Sequence, residues 1–237
     1  YLADVKLIDG SAVTTVPTAP QTATTGTNLL LSMTNAGIPD AAMMNDLETV
    51  GNAQVSTSVK KYGTGSLAFD GTGDGIRSVG TNVNLQLGSG NFTIEGWVYF
   101  NSVSGNAQIL NTDTGTTGTS YAIYRAGTTL QFFLSSAGVG WNIASGATIG
   151  TVATNTWYHF ALVRNGSTFT PYFNGVAGSS VTSSASLFAN ANVGIGNNAA
   201  AASTEVLNGY IDDLRITKGY ARYTANFTPP AQALPTN

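Results

Sequence analysis

Few side chains in this sequence can do acid–base or nucleophilic chemistry, and their spacing is informative. His159 is the only imidazole, cysteine is absent, and the glutamates Glu48, Glu95 and Glu205 are each isolated in the chain. A catalytic triad needs a nucleophile presented to the imidazole, and no GxSxG elbow occurs. Retaining glycoside hydrolysis needs two carboxyl groups about 5 Å apart, commonly from closely spaced acids on one face of a strand. Nothing here reads E-x-D-x-x-E, and Asp212 and Asp213 are neighbours, which a regular strand points to opposite faces. Without thiols there is no disulfide, zinc–thiolate site or Cys nucleophile. The chain reads as non-catalytic.

Recognition by stacking is the other chemistry on offer, because sugar rings pack on flat exposed aromatic rings. Trp141, set among small polar residues in SSAGVGWNIASG, is the foremost candidate platform, followed by Tyr121 and Tyr124. The competing role for Trp141 is packing at a rim, since partial burial of Trp is ordinary. Trp97 and Trp157 lie in alternating aromatic runs and read as packing residues.

The elements that must carry these groups are strands. Beyond Thr49 the chain is a series of short β-branched or aromatic runs separated by Gly, Asn and Ser. FTIEGWVYF alternates, placing Phe92, Ile94, Val98 and Phe100 on one face and Thr93, Glu95, Trp97 and Tyr99 on the other. Asn165-Gly166 and Asn174-Gly175 accept the positive φ of type I′ turns, so WYHFALVRNGSTFTPYFNG predicts a three-strand meander. LLLSM reads as a buried strand, and IPDAAMMNDLE as a turn or short helix capped by Asp40, with Met43 and Met44 as core filler. Charged residues are only 9% of the chain, against roughly 25% in ordinary soluble domains, so Ser, Thr, Asn and Gly must form the surface. Nine basic and twelve acidic residues, scattered singly, make no patch for phosphates and exclude a nucleic-acid partner. No apolar run approaches the roughly 20 residues of a membrane-spanning helix.

Taken in order, GSLAFDGTGDGI, FTIEGWVYF, WYHFALVRNG, PYFNG and LNGYIDDLRI resemble the laminin-G-like, concanavalin A-like lectin family over residues 55–220. The form is that of bacteriophage tail or fibre proteins and bacterial surface proteins, and GYARYTANFTPP resembles phage virion proteins. The resemblance implies an all-β jelly-roll sandwich of two antiparallel sheets, with His159 in a structural strand position. It also implies glycan binding, as in some members, and a calcium ion, as in many. FDGTGDG and YIDDLRI match the regions of acidic ligands, which makes Asp70, Asp74, Asp212 and Asp213 the candidates. Calcium wants six to eight oxygens, so carbonyls and water would complete the shell. Alternatively, Asp70 and Asp74 serve Gly-rich turns and Asp213 pairs with Arg215 or caps an amide. Function by resemblance is a structural, glycan-binding module of a repetitive virion protein. A bacterial extracellular adhesin or filament module is second and a glycoside hydrolase third. The expected setting is the virion surface or the cell exterior.

YLADVKLIDG at the start nearly copies YIDDLRITKG near the end, at an offset of 209 residues. In that register Tyr1, Asp4, Gly10, Ala12, Thr15 and Pro20 fall on Tyr210, Asp213, Gly219, Ala221, Thr224 and Pro229. Residues 1–20 therefore read as the closing strand of a preceding repeat plus a connector, and residues 21–237 as the sandwich. A strand bearing Leu2, Val5 and Leu7 should pair with a neighbouring copy or at an edge of its own domain, because exposed strand edges invite pairing. Copies of itself and cell-surface glycans are the expected partners.

Overall fold

The computed structural model describes residues 5–8, 27–31, 46–79, 82–190, 192–201 and 203–234. Leu2, Asp40, Met43, Met44 and most of the connector after Gly10 lie outside them, as do the side chains of Val5 and Leu7. The chain divides into two compact units, Tyr1–Gly37 and Ile38–Asn237. In the first, β1 (Val5–Ile8) pairs antiparallel with β2 (Thr27–Leu31), Val5 opposite Leu31, as a two-stranded sheet of its own. Among the described residues the partner of β1 is thus β2.

The second unit carries β3 (Asp46–Val50), β4 (Gln54–Ser56), β5 (Ser66–Asp70), β6 (Gly75–Val79), β7 (Phe92–Phe100), β8 (Asn106–Asn111), β9 (Thr119–Ala126) and β10 (Thr129–Gly138). It continues with β11 (Ala144–Thr151), β12 (Trp157–Asn165), β13 (Thr168–Phe173), β14 (Val176–Ala177), β15 (Val181–Thr182), β16 (Gly194–Ile195) and β17 (Asn208–Lys218). They form two antiparallel sheets, one seven-stranded in the order β11-β10-β9-β8-β16-β6-β3. The other is eight-stranded, β14-β13-β12-β7-β17-β5-β4 with β15 beside β13. This is the sandwich the sequence predicts. Phe92, Ile94, Val98 and Phe100 from β7 meet Tyr121, Ile123, Leu130, Phe132 and Leu134 from β9 and β10 in one core. Period-two alternation explains it, since each strand sends every second side chain inward.

Turn chemistry fits the meander, with one correction. Asn174 (φ 48°) and Gly175 (φ 81°) both take positive φ between Phe173 and Val176, as a type I′ turn requires. In the other hairpin Asn165 stays in the ladder opposite Thr168, leaving Gly166 and Ser167 as the loop. Only Gly166 (φ 62°) is left-handed there, which suits the II′ class with glycine first.

A second difference concerns the outward row of β7. Thr93, Glu95 and Trp97 are as buried as the core row. The segment following β17 folds back across Thr93 and Glu95, with Arg222 N–H donating to Thr93 Oγ1 (2.9 Å), Tyr223 Oη to Glu95 Oε2 (2.7 Å) and Phe227 N–H to the Gly175 carbonyl (2.9 Å), while Lys61 and Tyr62 cover Trp97. Ala221, Tyr223 and Phe227 pack on Ala161, Val163 and Tyr172, closing a small second core on the outside of this sheet.

Candidate functional site

Strand β10 determines which face is open. Leu130, Phe132 and Leu134 point into the core, so Gln131 and Phe133 point outward and stay half-exposed. Register places Gln131 opposite Tyr124 and Tyr124 opposite Gln108, while Phe133 lies beside Ala122, which pairs with Asn111. Trp141, from the β10–β11 connection, packs on Phe133 with ring centroids 5.4 Å apart, and Phe133 meets Tyr124 edge-on at 5.6 Å. Three half-exposed rings therefore run in a line across this sheet. The Trp141 loop is braced on both sides. Asn142 Oδ1 accepts from Ser136 N–H (2.9 Å), and Thr119 Oγ1 donates to the Gly140 carbonyl (2.9 Å). Gly146 (φ 77°) lies below Phe133, where a methyl group would touch that ring at 3.5 Å.

Beyond Tyr124 the line turns polar. Tyr124 Oη donates to Glu205 Oε1 (2.7 Å), as does Asn106 Nδ2 (2.9 Å), and Gln108 Nε2 donates to Oε2 (3.1 Å). Asn111 Nδ2 donates to Gln108 Oε1 (2.6 Å), extending the network. Burial and the adjacent carboxylate both disfavour the tyrosinate, so the Tyr124 hydroxyl is held well above its ordinary value and remains a donor. Glu205 and Asn106 also border an open depression of about 400 Å³, rimmed by Asp70, Thr72, Ser104 and Asn208. Aromatic faces next to fixed donors and acceptors are the parts from which sugar sites are made: ring faces stack, and amides and carboxylates meet hydroxyl pairs.

Trp141 and Tyr124 sit on the line, but Tyr121 does not: it is fully buried and donates its hydroxyl to the Leu85 carbonyl (2.9 Å). Its place in β9 is three residues from Tyr124, so it faces the core. Phe133, Gln108, Asn111 and Glu205 were missed as members of one site, because only the strand order brings β8, β9, β10 and the Glu205 segment together. The outward phase of QFF in β10 was the available signal.

The four aspartates do not assemble into a calcium site. Asp70 lies opposite Asn208 on β17, and Asp212 is four residues further along, about 13 Å at ordinary strand rise. Asp74 accepts from the amides of Asn52 and Asp70 (both 2.9 Å), and Asp212 Oδ2 from those of Lys61 (2.7 Å) and Tyr62 (3.1 Å). These oxygens secure turns. Asp70 accepts from Asn52 Nδ2 and Thr72 N–H, and these hydrogen bonds, that of Asn52 foremost, hold its carboxyl below the usual range. Among the described residues no group of three or more His, Cys, Asp or Glu converges as a metal site. The residues present therefore do not fit a shared ion. Nor do Asp212 and Asp213 simply alternate: Asp212 opposes Trp97 and Arg215 opposes Glu95, so β17 spends an extra residue at a bulge where Asp213 takes φ 50°. Asp213 does not pair with Arg215. Its Oδ2 accepts from Leu234 N–H (3.1 Å), near the end of the covering segment.

That bulge turns Arg215 onto the face of Glu95. Arg215 donates to Glu95 Oε1 through Nε (3.0 Å) and Nη2 (2.7 Å), Tyr223 Oη donates to Oε2 (2.7 Å), and His159 Nε2 lies 3.6 Å away. Burial raises the Glu95 carboxyl, but His159, Tyr223 and Arg215 together more than offset it and hold it below its ordinary value. His159 is itself buried between Trp97 (centroids 5.1 Å) and Phe227 (5.6 Å), which suits the structural role expected of it.

Comparison with known proteins agrees with this architecture. No curated protein matches the chain. Among solved structures it is similar to domain 4 of AbnA, a GH43 extracellular arabinanase from Geobacillus stearothermophilus, in complex with arabinotriose. The TM-score is 0.55 at 20% identity, over 75% of this chain and 83% of that one. It is also similar to the receptor-binding domain of botulinum neurotoxin D (TM-score 0.56, 14% identity, 74% of this chain and 45% of that one). A third neighbour is the serotype D ligand-binding domain in complex with N-acetylneuraminic acid (TM-score 0.54, 15% identity, 75% and 43%). The chain thus spans under half the length of the toxin domains, and at these identities the likeness is one of fold. Residues 70–222, well over half the chain, match the family described as the concanavalin A-like lectin/glucanases superfamily, and the chain belongs to that family.

Proposed function

We propose that the chain is a non-catalytic, glycan-binding sandwich module. The observation that carries this reading is the half-exposed line Trp141–Phe133–Tyr124 running into the Glu205, Gln108 and Asn111 network on one sheet face. Lectins give the family part of its description, and two structural neighbours were solved with an oligosaccharide or a sialic acid bound. Binding rather than hydrolysis is favoured because Glu95 and Glu205 serve opposite sheets. Glu95 lies beneath the C-terminal segment of one, and Glu205 lies on the outside of the other, so they do not flank one glycosidic bond. The finer setting, a repetitive exposed assembly such as a virion fibre, rests on the copy of the closing strand 209 residues upstream. A glycan array with the full chain tests the core claim. Binding that falls at least tenfold in a Trp141→Ala/Phe133→Ala double variant is expected, and a blank array, or binding that survives both changes, overturns it.

A further inference from the structure

We infer that this face selects neutral sugars and rejects acidic ones; the inference rests on the glycan-binding reading and adds its chemical class. Glu205 is the carboxylate at the end of the aromatic line, and its hydrogen-bond donors are all neutral: Tyr124, Asn106 and Gln108. No salt bridge reaches it among the described residues. A carboxylate offers about four acceptor positions, and three are filled, which leaves one for a sugar hydroxyl.

Among the residues whose side chains are described, every cation but the exposed Lys60 is held by other contacts, Lys218 for example at the Val83 carbonyl. Arg125, next to Tyr124 in the strand, reaches the wall of the depression beside Glu205 from beneath the sheet face. It is 2% exposed, lies over the Phe100 ring and donates to the carbonyls of Gly105, Gly127 and Ser104. Lys61 lies over Trp97, Arg164 over Phe169, Arg215 and Arg222 face Glu95, and Arg77 pairs with Glu48. Asp70 adds a second negative charge at the depression that Glu205 borders. A sialic acid or uronic acid on the platform would therefore set its carboxylate near Glu205 and Asp70, where the one guanidinium lining the depression, Arg125, is 2% exposed and already donates to three carbonyls. Like-charge juxtaposition is how a surface excludes wrong partners. A neutral sugar meets the same groups as hydroxyl acceptor and amide donor.

The test uses the full chain and paired probes, namely neutral arabinan, xylan and β-glucan oligosaccharides against sialyllactose and oligogalacturonate, titrated at low and high salt. A neutral probe is expected to bind about tenfold or more tighter than any acidic one. The ratio should shrink with added salt as screening weakens the repulsion, and collapse in Glu205→Gln. Acidic probes that bind as well as neutral ones, with binding lost in Trp141→Ala, overturn the charge selection and leave the glycan reading standing. A neutral preference that Glu205→Gln and salt leave unchanged also overturns it. No binding to any probe removes the glycan reading itself.

Discussion

On the eight-stranded sheet the outward residues are covered, Thr93 and Glu95 by the segment that carries Arg222 and Tyr223 and Trp97 by Lys61 and Tyr62, whereas on the seven-stranded sheet Tyr124, Phe133 and Trp141 remain half-exposed. Both faces hold a glutamate bonded to a tyrosine, but the two pairs do different things. Glu95 is fully buried and gathers Arg215, Tyr223, Arg222 and His159, so its charge is neutralised within the protein and ties the final segment down. Glu205 has only neutral partners and keeps an unfilled acceptor toward solvent. Burial with a countercharge makes a clasp, and exposure without one makes a recognition group.

The comparison is broken most directly by removing the clasp. Deleting residues 220–234 uncovers Ala161, Val163 and Tyr172 and takes two partners from Glu95. A loss of about 3–5 kcal/mol is expected in urea unfolding, the range for disrupting a buried charge network. An unchanged midpoint would show that the segment is only draped. Gly175→Ala should come next, at about 2 kcal/mol. Its φ is 81°, and an added methyl would run into the Phe227 carbonyl oxygen.

How much of this was legible in the sequence follows from the same contrast. Alternation in FTIEGWVYF correctly divided the two faces of β7, and the Asn-Gly pairs located both hairpins. Alternation cannot say which faces acquire a second cover, and so Glu95 read as an isolated acid although it anchors four side chains. Its partners lie 64 to 128 residues away and meet it only through the β12-β7-β17 order and the bulge at Asp213. The open face has the same history. Trp141 was visible from its small polar neighbours, whereas Tyr121 and Tyr124 could be separated only by the phase of β9.

Acid sharpens the comparison with an effect of opposite sign at two carboxyls. Glu95 is held below its ordinary value of 4.5, so its stabilisation is fully present above that pH and disappears as pH falls through the lower folded value. Asp213 is raised above 3.8, chiefly by burial, so its contribution is largest in acid and is lost as pH rises through the folded value. Asp213→Asn should therefore raise stability at neutral pH, by under about 1 kcal/mol given its partial exposure. Asn also tolerates the left-handed φ and retains an acceptor for Leu234 N–H. Thermal unfolding at pH 7 and pH 3 reads both signs. A neutral-pH loss in Asp213→Asn would mean that the charge itself holds Leu234.

The smallest expected change in stability is on the open face, and it is paired with a large expected change in binding. Trp141 is half-buried and touches Phe133 from a loop whose backbone is held by Asn142 and Thr119, so the loop keeps its path without the indole. Trp141→Ala should then cost under about 1 kcal/mol in unfolding, well short of the 3–5 kcal/mol typical of Trp→Ala in a packed core. Affinity for a bound oligosaccharide should nevertheless fall by at least tenfold, since a stacked aromatic surface contributes both area and orientation. Trp97→Ala is the control on the covered face. It sits against His159 and Lys61, is 6% exposed, and should lose several kcal/mol of stability with affinity retained in the folded fraction. If the two variants exchange these outcomes, the covered face is the recognition surface and Lys61 and Tyr62 must move off Trp97 to let ligand in.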